Sequence, residues 1–218
     1  SYYSFYDIEL IRKQLLFRDD VIAYPDRQQK GKLRHRTVGE IVEREAIKPK
    51  HGALLFRLAN YFKSRNILQL GSSMGLSTLY LTSYAPGLKC IAFENVPEFA
   101  PIARIAYEKG GHNPVDLRIG SNKELLPQAL EDLKQVDFVF FNTLYEQPDN
   151  VWLFNECTKY AHDGSLFVFE GIKANQKMRE FWKEICARPE VTVTIDLYSM
   201  GIVFFNKKLH KRNYIVYF

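Results

Sequence analysis

The sequence predicts an α/β protein: a doubly wound, mostly parallel sheet that closes in an antiparallel hairpin. Three observations carry this. From Pro49 onward, short apolar runs of strand length alternate with longer runs at helical spacing. The strand-like runs, among them "NILQL", "VDFVFFN" and "SLFVFEG", are apolar throughout, as strands covered on both faces are. The last two runs, "VTVTIDL" and "GIVFFNK", are joined by a connection at Tyr198 to Gly201 that is too short for a parallel crossover.

The segment up to about Ile47 is expected to be helical, with Phe5, Ile8, Ile11 and Leu15 on one face. Residues 1–48 are read as a helical extension and residues 49–218 as the main domain. Such an N-terminal helix suits packing on the core, a lid, or a contact in a homodimer. After it, a helix is expected over "KHGALLFRLANYFKS", a strand at Ile67–Leu70 and a helix from Ser77. Next come a strand at Lys89–Glu94, a helix at about Pro97–Lys109, strand "DLRIG" and helix "KELLPQAL". Strand Val136–Asn142, helix "DNVWLFNECTKYA", strand "SLFVFEG" and helix "NQKMREFWKEICA" lead to the closing hairpin.

Composition removes several classes. At 218 residues, 46% hydrophobic and 25% charged, the chain reads as one ordinary globular domain. No apolar run approaches the ~20 residues that span a bilayer. The start, "SYYSFYDIELIRKQ", lacks the pattern of a secretory signal, so a cytoplasmic protein without a membrane partner is expected. Cys90, Cys157 and Cys186 are widely spaced and form no CxxC, which fits reduced thiols. The five histidines do not fall at metal-ligand spacing. The net charge of +5 is concentrated in "DRQQKGKLRHR", Asp26 to Arg36. That cluster could face nucleic acid or an anionic substrate; with no nucleic-acid motif beside it, a solvated basic loop is the plainer reading.

The chemistry centres on "NILQLGSSMGLSTLYLT". A buried strand stops at Gly71, Ser72, Ser73, Met74 and Gly75, and a helix starts at once near Gly75 or Ser77. Glycine lets a ligand approach the backbone, and a helix start presents free N–H groups and a positive dipole end. The stretch is not the G-x-G-x-x-G dinucleotide fingerprint, because residue 73 is serine and no third glycine follows. The next strand ends in Glu94, on the order of 20 residues after the turn, where a carboxylate can accept hydrogen bonds from both hydroxyls of a ribose. Asn95 lies beside it. Gly120 and Ser121 follow a further strand and can edge an adenine ring, or serve as a plain helix cap with Glu124. Turn, acid and third loop together point to an adenosine-type ligand.

In these stretches the chain resembles the class I S-adenosylmethionine-dependent methyltransferases. The resemblance is nearest to the small O-methyltransferases that include catechol O-methyltransferase and its bacterial branch. The stretches that carry it are "ILQLGSSMGLSTLYL", "IAFENVPEFAPIAR", "LRIGSNKELLP", "VDFVFFNTLYEQ", "SLFVFEGI" and "VTVTIDLYSMGIVFF". The resemblance implies a Rossmann-like, seven-stranded sheet with a reversed last strand. It implies S-adenosylmethionine as cofactor and a small hydroxyl-bearing acceptor. It gives the methionine end to Gly71, Ser73 and Gly75, the ribose to Glu94 and the adenine to Ser121. Asn142 and Tyr145 would stand where the methyl group moves. The chain also departs from the family. Gln69 stands near the family's acidic residue, Asn142 replaces an aspartate, and Gly171 follows Glu170 where two adjacent metal-binding residues are usual. Hard cations want carboxylate oxygens, so no divalent metal is expected.

A hydroxyl acceptor needs its proton removed. Glu170 is the charged candidate for that base, with Lys173 next; the plainer role for Glu170 is a strand-end carboxylate on backbone N–H groups. Tyr145, with a reference pKa near ~10, suits an aromatic wall better than a base. Trp152 can help shape such a pocket. Three other readings compete: a cofactor-binding relative that has lost catalysis, an NAD-dependent dehydrogenase and a nucleic-acid methyltransferase. The missing third glycine and the hairpin oppose the dehydrogenase, and no Asn/Asp-Pro-Pro-aromatic stretch supports base methylation.

Overall fold

The structure is a computed structural model that describes residues 2–27, 29–111, 113–142 and 149–218, with the backbone alone at residues 2, 3 and 73. In chain order the elements are α1 (Tyr2–Leu16), β1 (Val21–Pro25), β2 (Leu33–Thr37), α2 (Val38–Glu45), α3 (Pro49–Tyr61), β3 (Asn66–Leu70), α4 (Leu76–Thr82), β4 (Lys89–Glu94), α5 (Ala100–Gly110) and β5 (Val115–Ile119). They continue with α6 (Asn122–Leu133), β6 (Val136–Phe141), α7 (Asn150–Thr158), β7 (Ala161–Glu170), α8 (Gln176–Ala187), β8 (Val193–Asp196), β9 (Met200–Phe204) and β10 (Arg212–Ile215). Among the described residues, β3 to β10 make a mostly parallel sheet of eight strands. Contacts divide the chain into two units, residues 1–63 with 72–121 and residues 64–71 with 122–218.

The second unit carries six strands in the order β10-β8-β9-β7-β6-β3. β3, β6 and β7 run parallel, and β9 runs antiparallel to both β7 and β8. The closing hairpin is therefore present, turned at Tyr198, where Leu197 N–H donates to Met200 O at 2.8 Å. The sheet has one strand more than the expected seven. Arg212–Ile215 adds to β8 in parallel, with Arg212 N–H on Thr192 O at 2.9 Å and Val216 N–H on Asp196 O at 2.8 Å. The β-branched and aromatic run "YIVYF" favours a strand there.

Phenylalanine builds this unit's core. Phe138, Phe140, Phe141, Phe167 and Phe169 are all 0% exposed, and the rings of Phe141 and Phe169 stack 4.4 Å apart. Each ring withdrawn from water stabilises the fold by about 2–3 kcal/mol, which is why these strands read as unbroken apolar runs. At the opposite end of β6, the Asp137 carboxylate gathers three donors. It accepts from Arg65 N–H (2.7 Å), Asn66 N–H (2.8 Å) and His162 Nε2 (2.7 Å).

In the first unit, α1 buries the expected face: Ile8, Ile11 and Leu15 are 2%, 5% and 1% exposed. Tyr80 of α4 pins the helix by donating to Glu9 Oε1 at 2.6 Å. The expectation of helix up to Ile47 is corrected. β1 and β2 form an antiparallel hairpin, closed by Asp26 N–H on Lys32 O at 2.8 Å and by Arg34 on Asp26 at 2.9 Å. Pro25 and Gly31 interrupt any helix there. Thr37 then starts α2 with a capping box, Glu40 N–H on its Oγ1 and its own N–H on Glu40 Oε2. The basic cluster is thus this hairpin's turn and second strand, a folded element where a loop was expected. α5 comes close to the start of α4: a Cβ on Gly75 would lie 2.9 Å from the Ala103 carbonyl oxygen and from the Ala106 methyl.

Two outcomes are expected in urea unfolding. Asp137→Ala strands two backbone amides and should lower stability by about 2–3 kcal/mol. Gly75→Ala, which adds a left-handed residue (φ 81) and a clash with α5, should cost about 2–4 kcal/mol.

Candidate active site

The first unit holds the turn that enters α4. Met74 has φ 59 and Gly75 φ 81, so two successive residues take left-handed backbone. Gly75 can do this freely; Met74 does so with its side chain only 2% exposed. The turn is tied to itself, because Ser72 O accepts Gly75 N–H at 2.9 Å and Ser77 Oγ at 3.4 Å. Ser72 and Ser77 are both 0% exposed. Of Ser73, the backbone lies in the short 3-10 turn Ser73–Gly75. α4 spans seven residues, so its dipole is weaker than the sequence pattern suggested.

Glu94 sits at the end of β4 and is 3% exposed. Ser72 Oγ donates to its Oε2, and Val96 N–H donates to its Oε1 at 3.0 Å. Its backbone carbonyl accepts Gly120 N–H at 3.0 Å, so the third loop is brought beside the acid, as expected. Burial raises the Glu94 pKa above the ordinary glutamate value; the Ser72 and Val96 hydrogen bonds and the positive charge of Arg27 pull it back, while Glu45 adds to the rise. Asn95 and Ser121 are exposed next to these positions, and Ser121 directly precedes α6. The unit therefore assembles Ser72, Gly75, Ser77, Glu94 and Gly120. Sequence reasoning did not foresee Arg27 and Glu45 acting on Glu94; the basic cluster was the one signal.

The second unit holds the remaining candidates. Gly71 (φ 104) ends β3, and its carbonyl accepts Gln69 Nε2 at 2.6 Å. Gln69, 0% exposed, thus braces the turn with a neutral amide in the place near which the family carries an acid. Asn142 is 4% exposed, and its N–H donates to Leu70 O at 3.0 Å, which sets it beside the end of β3. Glu170 is the half-buried last residue of β7, in register with Met200 of β9. Lys173 is engaged with Asp196 at 3.0 Å. Tyr145 lies outside the described residues. Trp152 has Lys123 Nζ 5.8 Å from its ring centre. Gly171, where a second metal ligand is usual, offers only backbone, its N–H donating to Ser199 O at 2.7 Å. Among the described residues no three His, Cys, Asp or Glu side chains group as metal ligands, and no helix is long and apolar enough to cross a membrane.

Comparison with known proteins bears on the fold and on the family. The chain is 26% identical over 136 residues to a catechol O-methyltransferase from Niastella koreensis, a match covering 61% of each chain. The chain thus spans about three fifths of the length of that curated relative. An O-methyltransferase from Bacillus cereus, solved in complex with SAH, superposes with a TM-score of 0.63 at 22% identity over 76% of this chain and 89% of that one. The O-methyltransferase TomG from Streptomyces achromogenes, solved with SAM, gives 0.64 at 22% identity over 74% of this chain and 82% of that one. At such identities the likeness to the solved structures is one of fold. The family model described as O-methyltransferase matches residues 20–215, nearly the whole sequence, and the chain belongs to that family.

Proposed function

We propose that the chain transfers the methyl group of S-adenosylmethionine to an oxygen of a small hydroxyl-bearing acceptor. One observation carries the reading most: a nearly buried carboxylate, Glu94, closes the end of β4 and is tied through Ser72 to the turn that enters α4. The arrangement fits the cofactor's nucleoside. Each Glu94 oxygen accepts one donor from the protein, Val96 N–H on one and Ser72 Oγ on the other. A carboxylate has about four lone-pair positions, so each oxygen keeps one for a ribose hydroxyl. The turn at Met74 and Gly75 is taken in this reading as the place of the amino-acid end.

The bound cofactor supplies an electrophilic methyl group; the protein's part is alignment and proton removal. Glu170 is the base in this reading, Asn142 a neutral hydrogen-bonding group, and Tyr145 a wall for the acceptor. The donor set does not fit a hard divalent cation, since Glu170 brings the single carboxylate among Asn142, Glu170 and Gly171. Three free thiols, with Cys90 and Cys157 buried, support a cytoplasmic setting. Titration calorimetry with S-adenosylhomocysteine and with NAD tests the reading, and a hydroxyl-compound panel, with and without Mg²⁺, tests turnover. Heat with NAD alone would overturn it.

Glu94→Ala should weaken S-adenosylhomocysteine binding by about tenfold or more, the cost of losing a charge-assisted ribose contact. Because burial raises Glu94 above the ordinary glutamate range, it takes up its proton at a pH where exposed glutamates remain ionised. Affinity should therefore fall as pH drops through that raised value, and the fall should be flattened in Glu94→Gln. Stability runs the other way: ionised Glu94 costs stability above its raised pKa, and the cost disappears on acidification. The Tm of Glu94→Gln should equal or exceed wild type at alkaline pH, with the gap closing in acid. Glu170→Gln should lower turnover about a hundredfold at unchanged cofactor affinity, and unaltered turnover would remove it as the base.

A further inference from the structure

Residues 207–218 are exposed without a break. They include Lys207, Lys208, Lys211 and Arg212 and contain no acid. Lys211 turns back onto its own unit, its Nζ donating to the carbonyls of Arg188 and Val191 at 2.7 Å each. Lys207, Lys208 and Arg212 form no ion pair among the described residues. Beyond them the chain carries large apolar side chains into water: Tyr214 is 51% exposed, Ile215 75% and Tyr217 97%. Single exposed apolar residues are ordinary on a protein surface, but a continuous run of them rimmed by charge marks an interaction site.

β10 lies within this run and is the outermost strand of the second unit. β8 pairs with it on one side, and among the described residues no strand lies on the other. Arg212 N–H donates to Thr192 O and Val216 N–H to Asp196 O. In a parallel pair, the residues that bond one neighbour come at every second position. The amides and carbonyls of Asn213 and Ile215 therefore point away from β8, along the open side. The strand is also held in register, since Thr194 Oγ1, on a side chain 1% exposed, donates to Asn213 Oδ1 at 2.8 Å. Natural sheets blunt such an edge with a charge or a proline in the strand, and the stretch Asn213–Val216 has neither.

We propose that β10 is a docking edge for an extended, acidic segment of another protein, which adds to the sheet as a further strand. The segment's main chain pairs with the outward groups of Asn213 and Ile215, and its alternate apolar side chains cover Tyr214 and Ile215. Its acids meet Lys207, Lys208 and Arg212. The open main-chain edge and the positive flank together choose this occupant. A lipid surface answers the charge but gives the edge no backbone partner. A second copy of the chain answers the edge but brings the same positive charge to the lysines.

The probe is a fluorescein-labelled peptide of alternating valine and threonine that ends in glutamates; a second peptide ends in lysines instead. The glutamate peptide should bind the full chain about tenfold tighter or more at low salt. On binding, hydrogen exchange at the Asn213 and Ile215 amides, followed by NMR, should slow. Ile215→Pro removes one outward N–H and leaves the bonds to β8 in place, so Tm should stay near wild type while binding falls about tenfold. Lys207→Glu combined with Lys208→Glu keeps the strand and should reverse the preference between the two peptides; it decides the matter should the proline variant fail to fold. No binding of the glutamate peptide, or binding that leaves the two amides exchanging as before, overturns the proposal. So does a wild-type dimer in sedimentation velocity that Ile215→Pro abolishes, which gives the edge to a second copy. Pelleting with phosphatidylserine vesicles that Ile215→Pro leaves intact gives the patch to lipid and overturns it as well.

Discussion

A carboxylate taken out of water must be held by donors, and the chemistry proposed here depends on how Glu94 is held. Ser72 and Val96 each give it a hydrogen bond, and its own carbonyl receives the Gly120 amide. Those contacts set the end of β4, the turn before α4 and the loop before α6 into one local arrangement. The cost of burial appears as a raised pKa, which the hydrogen bonds from Ser72 and Val96 reduce without cancelling. Next to this acid, Met74 and Gly75 take left-handed backbone in a turn whose Ser72 carbonyl accepts Gly75 N–H and Ser77 Oγ, and α5 lies too close to Gly75 for a side chain there.

The departures from the family pattern have structural sense. Gln69 keeps the position near the usual acid but uses its amide to brace the Gly71 carbonyl, which an ionised acid could not do. Asn142 keeps its place beside the end of β3 through its backbone, so the substitution of a neutral side chain leaves the strand geometry intact. Gly171 adopts φ 72, a conformation that few side chains tolerate. The second unit is otherwise a phenylalanine core, with the Phe141 ring in contact with both Phe167 and Phe169, and such close-packed interiors resist deformation.

Much of this was legible along the chain. The seven principal strands were readable because a strand covered on both faces must be apolar throughout, and a helix beside it must be apolar on one side only. The turn and the strand-end acid were readable because a sharp bend from a buried strand into a helix draws glycine and small residues, and a charged residue ending an apolar strand stands out in the sequence. The eighth strand was missed although "YIVYF" has strand character, since an exposed edge strand shows no burial pattern. The β1–β2 hairpin was missed because its basic residues masked the alternation of Ile22 and Tyr24.

By itself, then, the sequence determined the α/β alternation, the glycine-serine turn, the strand-end acid and the family to which they belong. Local propensity, hydrophobic period and backbone stereochemistry are enough for those. Only the tertiary structure decided that Ser72 bonds Glu94, that Gln69 braces Gly71, and that Arg27 pairs with Glu45. Such pairings join residues far apart in the chain, and Coulomb and hydrogen-bond energies depend on distances in space that no spacing in sequence encodes.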